Sequence, residues 1–396
     1  MATNYYDSPE KIYTFISPVK TIFGINALRQ LISELEKLEQ NKIFLITNKI
    51  IKDTNPVKNF ISGLMSTNFD LKIFESEVHE PTVGMVKDFI KFIRSEKEGI
   101  VIGIGGGSIM DQAKVASVLA TNNGEIEQFA GADKIQNEGL PLILIPTTAG
   151  TGAETSKNAV LMKEGKKLVI SSSKILPTLS IIDPVLSLSL PPRPTAYTGM
   201  DALCHAIEGI MSLNCSPVVM PIALEVISMV NENLPIAYFD GTNIQARFKM
   251  CIAATLGGLS LNAGVVLGHS ICYTLERFGI PHGLGCAISL PYIIKFNSPV
   301  IPNQLKRIAG AFGLKDDKFG STVQTTSYVI DAIKHLNNMF EIPLSINSFV
   351  PDEKVVKELA DECFNNFPRP NNPRKYSKKD IALIYEQMWS GNLDII

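Results

Sequence analysis

The first half of the chain alternates short runs of branched apolar residues with longer amphipathic segments. The apolar runs predict five strands, at residues 42–47, 71–74, 100–103, 140–146 and 179–183. Helical periodicity between these runs predicts helices at residues 26–38, 56–65, 83–93 and 109–119. Strands that are apolar throughout and alternate with helices are typical of a parallel sheet covered on both faces. We therefore predict an α/β domain with a Rossmann-like parallel sheet, carrying a small β-rich insertion near residues 159–172.

The pattern changes at a proline cluster, residues 190–194 (LPPRP). Beyond it, strand patterns are scarce and helical periodicity recurs at residues 195–213, 217–235, 243–262, 302–313, 321–338, 352–366 and 378–390. A length of 396 residues also suits two domains. We predict an α/β domain over residues 1–190 and an all-helical domain over residues 191–396, with the active cleft between them.

One apolar run resembles a membrane span in hydropathy. Residues 250–273 contain no Asp, Glu, Lys or Arg. The run does contain glycines, Asn262 and His269. In a lipid-facing helix the polar groups of these residues would need hydrogen-bond partners within the protein. A helix buried inside a large domain accounts for the same run, so we predict a buried helix and no membrane span.

Composition excludes several classes of partner. Hydrophobic residues make up 45% of the chain, and 37 Lys and Arg stand against 39 Asp and Glu, for a net charge of −2. Basic blocks and basic amphipathic runs are missing, which argues against binding to nucleic acid or an anionic membrane. The first residues, MATNYYDSPEK, lack the charged and then apolar stretches of a secretory signal, so we expect a cytoplasmic protein.

The six cysteines contain no CxxC pair, and in a reducing cytoplasm we expect no disulfides. Three of them, Cys204, Cys272 and Cys286, fall near histidines in the sequence. We interpret these three as small apolar core residues, and ligation of a metal by their thiolates is the alternative.

Two loops rich in glycine and threonine follow neighbouring predicted strands. In the first, Gly103-Ile-Gly105-Gly106-Gly107-Ser108, unhindered backbone N–H groups and the dipole of the following helix favour a phosphate. The loop does not match GxGxxG, because Ser108 takes the last glycine position, and a tight turn without a ligand is the alternative. The second, residues 146–154 (PTTAGTGAE), offers three threonine hydroxyls and is otherwise an ordinary polar loop. Together the loops predict a nucleotide site.

Three of the five histidines belong to one constellation. Asp201 and His205 are four residues apart on a predicted helix, so both project from the same face. His269 lies in the charge-free run, and His282 follows Pro281. One carboxylate and three imidazoles make a suitable site for Fe²⁺ or Zn²⁺, whereas any one of these histidines alone is better explained as a core residue or a helix cap.

The chain resembles the iron-dependent (group III) alcohol dehydrogenase family over almost its whole length. The matching segments are GGGSIMDQAK (105–114), IPTTAGTGAE (145–154), KLVISSSKILPTLSIIDP (167–184), TGMDALCHAIE (198–208), GHS (268–270) and IPHG (280–283). The resemblance implies the fold shared with dehydroquinate synthase, and it implies that Asp201, His205, His269 and His282 bind the metal. It also implies a set of cofactor-binding residues: Gly105, Gly106, Gly107, Ser108, Thr147, Thr148, Thr151 and Lys167.

The sequence departs from this family at two positions. Many members carry an Asp that binds the adenosine ribose where this chain has Asn48, followed by Lys49. Asn does not repel a 2′-phosphate and Lys49 can pair with one, so we expect NADP or dual use, with NAD and a merely solvated Lys49 as the alternative. Many members also carry a His in a proton path where this chain has Tyr273, whose hydroxyl can relay a proton.

The predicted activity is metal-assisted hydride transfer between NAD(P) and a small alcohol or aldehyde. Asp111 either positions the substrate or nicotinamide or is a first-turn acid favoured by the helix dipole. Two other activities remain open: a dehydroquinate synthase-like lyase that uses NAD transiently, and a metallohydrolase that uses the same Asp/His site. The resemblance further implies a homodimer or a larger homo-oligomer.

Overall fold

A computed structural model describes residues 11–17, 20–77, 81–96, 98–164, 166–315, 318, 320–350 and 352–393. The chain divides into two compact units. The first comprises Ile16–Leu190 together with Gly241–Gly258, and the second contains Pro191–Asp240 and the chain from Leu259 onward.

The first unit is built on a six-stranded parallel sheet. Its strands are β1 (Thr21–Phe23), β2 (Lys42–Asn48), β3 (Asp70–Ser76), β4 (Ile100–Gly105), β6 (Leu142–Pro146) and β9 (Leu179–Ile182), in the order β1-β9-β6-β4-β2-β3. A smaller sheet holds β5 (Gly131–Ala132), β7 (Asn158–Lys163) and β8 (Lys166–Ser171), in the order β5-β8-β7. The parallel α/β sheet, all five predicted strands and the β-rich insertion are thereby confirmed. The three-residue edge strand β1 was not predicted.

Successive residues of each central strand enter two separate apolar cores. Ile43 and Leu45 of β2 lie in one core, and Phe44 and Ile46 lie in the other. Helices cover both faces of the sheet, which is why its strands are apolar throughout. The helices of this part of the chain are α1 (Leu31–Glu36), α2 (Lys49–Lys52), α3 (Asn55–Met65), α4 (Val83–Glu96) and α5 (Gly107–Leu119).

The sheet order places the two predicted nucleotide loops next to each other. Strands β4 and β6 are parallel neighbours, and Gly105 at the end of β4 is the register partner of Pro146 at the end of β6. The backbone N–H of Thr147 donates to the carbonyl of Gly105 over 3.0 Å. Both loops therefore start at the carboxyl edge of the sheet, where open α/β sheets bind their ligands.

Beyond the proline cluster the described chain is helical. Its helices are α6 (Pro192–Met211), α7 (Val219–Phe239), α8 (Ile244–Ser260), α9 (Leu267–Leu275), α10 (His282–Asn297), α11 (Pro302–Ala311), α12 (Thr322–Met339), α13 (Val355–Asn366) and α14 (Lys378–Ser390). Helix α10 packs against both α6 and α9. These three helices carry every predicted metal ligand.

The charge-free run at residues 250–273 does not form the single buried helix that we predicted. Helix α8 ends at Ser260, a 3₁₀ turn covers Leu261–Ala263, and α9 starts at Leu267. Gly264 lies at the break with φ +71°, a left-handed conformation that favours glycine. Within the described part of the chain, no single helix is long and apolar enough to cross a membrane, and only the bent pair on either side of this break passes that test jointly.

Residues 241–258 pack closely within the α/β unit. The hydroxyl of Thr155 donates to the carbonyl of Thr255 over 3.0 Å, and the Thr255 hydroxyl donates to Oε1 of buried Glu154 over 3.0 Å. Gly152 has φ +57°, and a Cβ built on it would lie 2.4 Å from the Cα of Gly258. This close backbone approach joins the threonine-rich loop to the first part of α8.

Candidate metal centre and nucleotide loops

The four predicted ligands meet around one carboxylate oxygen. Asp201 and His205 lie one turn apart on α6, His269 lies on α9, and His282 is the first residue of α10. The Nε2 atoms of the three histidines each lie 3.6 Å from Oδ1 of Asp201. Ligands held about 2.0–2.2 Å from a tetrahedral ion lie about 3.3–3.6 Å apart, which agrees with these separations.

Two buried ligand atoms that face each other have no hydrogen-bond partner among the described residues, which is expected where a metal ion binds. Asp201 and His269 are each 2% exposed, and neither Oδ1 of Asp201 nor Nε2 of His269 has a hydrogen-bond partner among the described residues. Buried polar atoms almost always have a partner, so two that face each other without one call for an explanation. A divalent ion between them would satisfy both, which makes the residue set a good fit for a metal.

Electrostatics hold two of these ligands, Asp201 and His205, in the protonation states that bind a metal. Burial alone would raise the pKa of Asp201, but the neighbouring imidazoles of His205, His282 and His269 outweigh it and hold the pKa well below its usual value. Burial lowers the pKa of His205 to about 4, against the opposing charge of Asp201. Near neutral pH, Asp201 is therefore an anion and His205 a neutral imidazole, as ligation requires.

Two further carboxylates orient the histidines, and neither was predicted from the sequence. Oε1 of Glu208 lies 2.8 Å from Nδ1 of His269, and Oε1 of Glu276 lies 2.8 Å from Nδ1 of His282. Such partners fix the ring and leave Nε2 available to the metal. A signal for Glu208 was available, because it follows Asp201 by seven residues, or two helical turns, on α6.

Replacing Glu208 with glutamine is expected to weaken metal binding about 10–100-fold, the usual effect of losing an outer partner. Glu208 accepts from two sides, since its Oε2 receives the backbone N–H of Val266 over 2.6 Å. A glutamine retains only one acceptor oxygen, so one of the two contacts is lost while the volume is unchanged. Competition with a chelator measures the affinity, and Glu358→Gln, at an exposed position, is the control. An unchanged affinity in Glu208→Gln would contradict this role.

Tyr273 lies directly beside the ligand histidines. Its ring stacks on His282, with centroids 5.7 Å apart and an interplanar angle of 24°, and meets His269 edge-on at 6.4 Å. Phe367 and the guanidinium of Arg369 cover other parts of the same ring, at 5.3 Å and 5.7 Å. Tyr273 therefore belongs to the wall of the metal centre.

The two nucleotide loops touch each other through their small residues. Gly106 is the N-cap of α5 and lies beside Thr148, while a Cβ on Gly107 would come within 2.7 Å of the Thr151 side chain. Ser108 is exposed at the start of α5, a helix of 13 residues. The loops thus form one continuous edge at the N-terminus of a long helix, where backbone N–H groups are available to an anion.

The other predicted cofactor residue at this sheet edge is Asn48, at the end of β2. Its Oδ1 accepts the backbone N–H of Ile51 over 2.9 Å and so caps the short helix α2. The side chain of Asn48 is buried, whereas Lys49 is exposed.

Asp111 lies beside a fully buried lysine, Lys114, and is also within electrostatic range of Lys167. Oδ2 of Asp111 accepts the backbone N–H of Val160 in β7 over 2.9 Å, and Lys114 lies 3.7 Å from its Oδ1. Lys114 also donates to the carbonyls of Ser156 and Asn158. Burial raises the pKa of Asp111, and the charges of Lys114 and Lys167 oppose that effect. Asp111 and Lys114 therefore tie α5 to the small sheet.

The described fold agrees with comparisons with known proteins. Residues 18–184 match the family described as iron-containing alcohol dehydrogenase, and residues 195–389 match the C-terminal part of the Fe-containing alcohol dehydrogenase family. The chain is 32% identical over 384 residues to long-chain-alcohol dehydrogenase 1 of Geobacillus thermodenitrificans, covering 96% of this chain and 97% of that one.

Two solved structures are also similar. The crystal structure of a 1,3-propanediol oxidoreductase superposes with a TM-score of 0.91 at 30% identity, covering 96% of this chain and 100% of that chain. Sulfoacetaldehyde reductase from Bifidobacterium kashiwanohense, solved in complex with NAD⁺, superposes with a TM-score of 0.87 at 27% identity over the same shares. The chain therefore belongs to the iron-containing alcohol dehydrogenase family and is an oxidoreductase of alcohols.

Proposed function

We propose that this protein interconverts a small alcohol and its aldehyde or ketone by metal-dependent hydride transfer to or from a nicotinamide cofactor. The observation that carries the proposal is the arrangement of three imidazole nitrogens, each 3.6 Å from one buried carboxylate oxygen, in a member of this family. A structural role for the cluster would leave Oδ1 of Asp201 and Nε2 of His269 unsatisfied, whereas a metal satisfies both.

In this proposal Asp201, His205, His269 and His282 hold Fe²⁺, and Zn²⁺ is the alternative ion for the same donor set. A divalent ion there supplies Lewis acidity to a carbonyl group. The protein contributes the orientation of the rings through Glu208 and Glu276. Tyr273 is proposed as the proton relay, because its ring stacks on His282 and a phenol both donates and accepts.

The cofactor is proposed to bind along the paired loops. Gly105, Gly106, Gly107 and Ser108 would hold the pyrophosphate at the N-terminus of α5, and the hydride chemistry belongs to the nicotinamide itself. Further contacts to the nucleotide are assigned to Thr147, Thr148, Thr151 and Lys167. Asp111 is proposed as a positioning residue, since its carboxylate already holds Val160.

Asn48 is proposed to admit NADP as well as NAD. Replacing it with aspartate keeps an acceptor for the N–H of Ile51, because Asp and Asn are equally good helix caps. The new charge repels a 2′-phosphate, so we expect the preference for NADPH over NADH to fall about tenfold. Ratios of kcat/KM for the two cofactors measure this change. An unchanged ratio would remove Asn48 from cofactor selection, and Lys49→Gln tests the neighbouring charge separately.

The proposal extends to a homodimer or larger homo-oligomer in the cytoplasm, which rests on the family resemblance alone. Light scattering on the purified protein measures the assembly. A protein that is monomeric at micromolar concentration would contradict the proposed homo-oligomer.

The test of the function is oxidation of NADH and NADPH, in parallel, by metal-free protein supplied anaerobically with Fe²⁺ or Zn²⁺. The substrates are a short aldehyde, a long-chain aldehyde and a sulfonated aldehyde, chosen because relatives act on a long-chain alcohol and on sulfoacetaldehyde. Turnover that needs the metal is the expected result. Nucleotide binding with no net oxidation would favour the transient-redox lyase. A protein that does not bind nucleotide but hydrolyses esters with the metal would favour the metallohydrolase.

A further inference from the structure

Three buried cysteines surround His282 and its neighbours. Cys204, Cys272 and Cys286 are all 0% exposed and carry free thiols. Thiolates are strong ligands for soft divalent ions, so buried thiols beside the proposed metal centre are candidate ligands as well as core residues. Two of the sulfurs, those of Cys272 and Cys286, contact the His282 ring, and their positions on it separate their roles.

Cys272 faces the side of His282 that points away from the ligand cluster. Its Sγ lies 3.2 Å from Nδ1 of His282 and donates to the His282 carbonyl over 3.0 Å. Glu276 is on the same side, 4.0 Å from that sulfur and 2.8 Å from Nδ1. Cys272 and Glu276 therefore support His282 from behind.

Cys286 is near Nε2 of His282, among the metal-binding atoms, and its thiol also interacts with that of Cys272. It follows His282 by one turn of α10, and its Sγ is 3.7 Å from the metal-binding Nε2 of His282. One ligand atom each from Asp201, His269, His282 and Cys286 lies within 4.8 Å of all the others. For a tetrahedral ion with bonds of about 2.3 Å to sulfur and 2.0–2.1 Å to nitrogen, the two ligands lie about 3.5 Å apart. The observed sulfur–nitrogen distance is close to that value.

We infer that Cys286 is a further metal ligand, and that a thiophilic ion such as Zn²⁺ or Co²⁺ is held by four donors, Asp201, His269, His282 and the Cys286 thiolate, with the thiolate in place of His205. The inference rests on the proposed function, in which the same three oxygen and nitrogen donors bind the metal. Binding exchanges the thiol proton for the ion, so one proton is released as the sulfur–metal bond forms. The consequence is a softer donor set than one carboxylate and three imidazoles, which shifts the preference of the site toward Zn²⁺ and Co²⁺.

A single titration with Co²⁺ tests both whether a metal binds at this site and whether a thiolate is one of its ligands. Full-length protein is stripped of metal and titrated anaerobically with Co²⁺, whose visible bands report a bound, low-symmetry ion. A charge-transfer band in the near ultraviolet reports a cobalt–thiolate bond specifically. Wild-type protein is expected to show both signals.

Single-residue variants then identify which cysteine provides the thiolate ligand. In Cys286→Ala the charge-transfer band is expected to disappear while the visible bands remain, and Cys286→Ser is expected to behave in the same way. The matched control is Cys272→Ala, an equally buried thiol beside the same histidine, which is expected to keep the charge-transfer band. Zn²⁺ affinity in Cys286→Ala is expected to fall at least about 100-fold, because losing a direct ligand costs no less than the 10–100-fold that losing an outer partner costs. Circular dichroism establishes that each variant is folded.

The outcomes separate this inference from the proposed function. Visible cobalt bands without a charge-transfer band in the wild type would overturn ligation by Cys286 and leave the Asp/His site intact. Ligation by Cys286 is also overturned if the band persists in Cys286→Ala, and loss of the band in Cys272→Ala alone would assign the thiolate to Cys272 instead. A protein that gives no cobalt spectrum at all would overturn both the inference and the proposed metal centre.

Discussion

Replacing Asp201 with asparagine is expected to lower kcat/KM at least about 1,000-fold, equivalent to about 4 kcal/mol of transition-state stabilisation. Asp201 is the only residue whose side chain lies 3.6 Å from all three histidine Nε2 atoms in the described structure. Asparagine fills the same volume but removes the negative charge that balances the ion. The expected cause of the lost activity is therefore a lost metal, with the fold retained.

Three measurements separate this cause from unfolding. Metal content after desalting is expected to fall in Asp201→Asn, while binding of NADH and the urea midpoint remain close to wild type. The matched control, Asp331→Asn, changes an exposed aspartate on α12 and is expected to leave all three unchanged. Full activity with bound metal in Asp201→Asn would remove Asp201 from the centre.

Replacing Gly152 with alanine is expected to destabilise the α/β unit by about 3–5 kcal/mol. Two costs add at this position. The backbone has φ +57°, which is unfavourable for alanine by about 1 kcal/mol. In addition, the new Cβ would lie 2.4 Å from Cα of Gly258 and 2.6 Å from the carbonyl oxygen of Ala254. Both are backbone atoms of α8, so a side-chain rotation cannot relieve the clash.

Gly391→Ala isolates the first cost, that of the left-handed backbone. Gly391 is also left-handed, with φ +74°, but a Cβ there would meet only Ser345 at the ordinary distance of 3.4 Å. That variant is expected to lose about 1 kcal/mol. Urea unfolding of both variants gives the comparison. Equal destabilisation of the two would show that the approach of the threonine-rich loop to α8 contributes little to stability.

The sequence predicts the α/β half well because burial on both faces of the sheet leaves strong local signals. Residues 43–46 are all apolar since alternate positions enter two different cores. The signal weakens where an element is short or uniformly apolar. Strand β1 spans three residues at the sheet edge, and α10 is buried along most of its length, so its sequence shows little amphipathic periodicity.

Within the site, pairs of residues close in the sequence could be predicted, whereas pairs brought together only by folding could not. Asp201 and His205 are four residues apart, so their shared face can be read from the sequence before any fold is known. The partner of His269 is 61 residues away, and the hydrogen bond between it and Glu208 exists only because α6 and α9 are folded. Cys286 is a similar case. Its spacing from His282 was visible, but only the structure shows its sulfur among the other ligand atoms.

Transfer of a labelled hydride tests the central claim most directly. Metal-loaded protein is given an aldehyde that it reduces and a reduced nicotinamide cofactor deuterated at both C4 positions, and the alcohol is analysed by mass spectrometry. Metal-dependent hydride transfer predicts one deuterium on the carbinol carbon of each alcohol molecule, and no labelled alcohol from metal-free protein or from Asp201→Asn. Alcohol without deuterium, or equal labelling in the absence of metal, would contradict it.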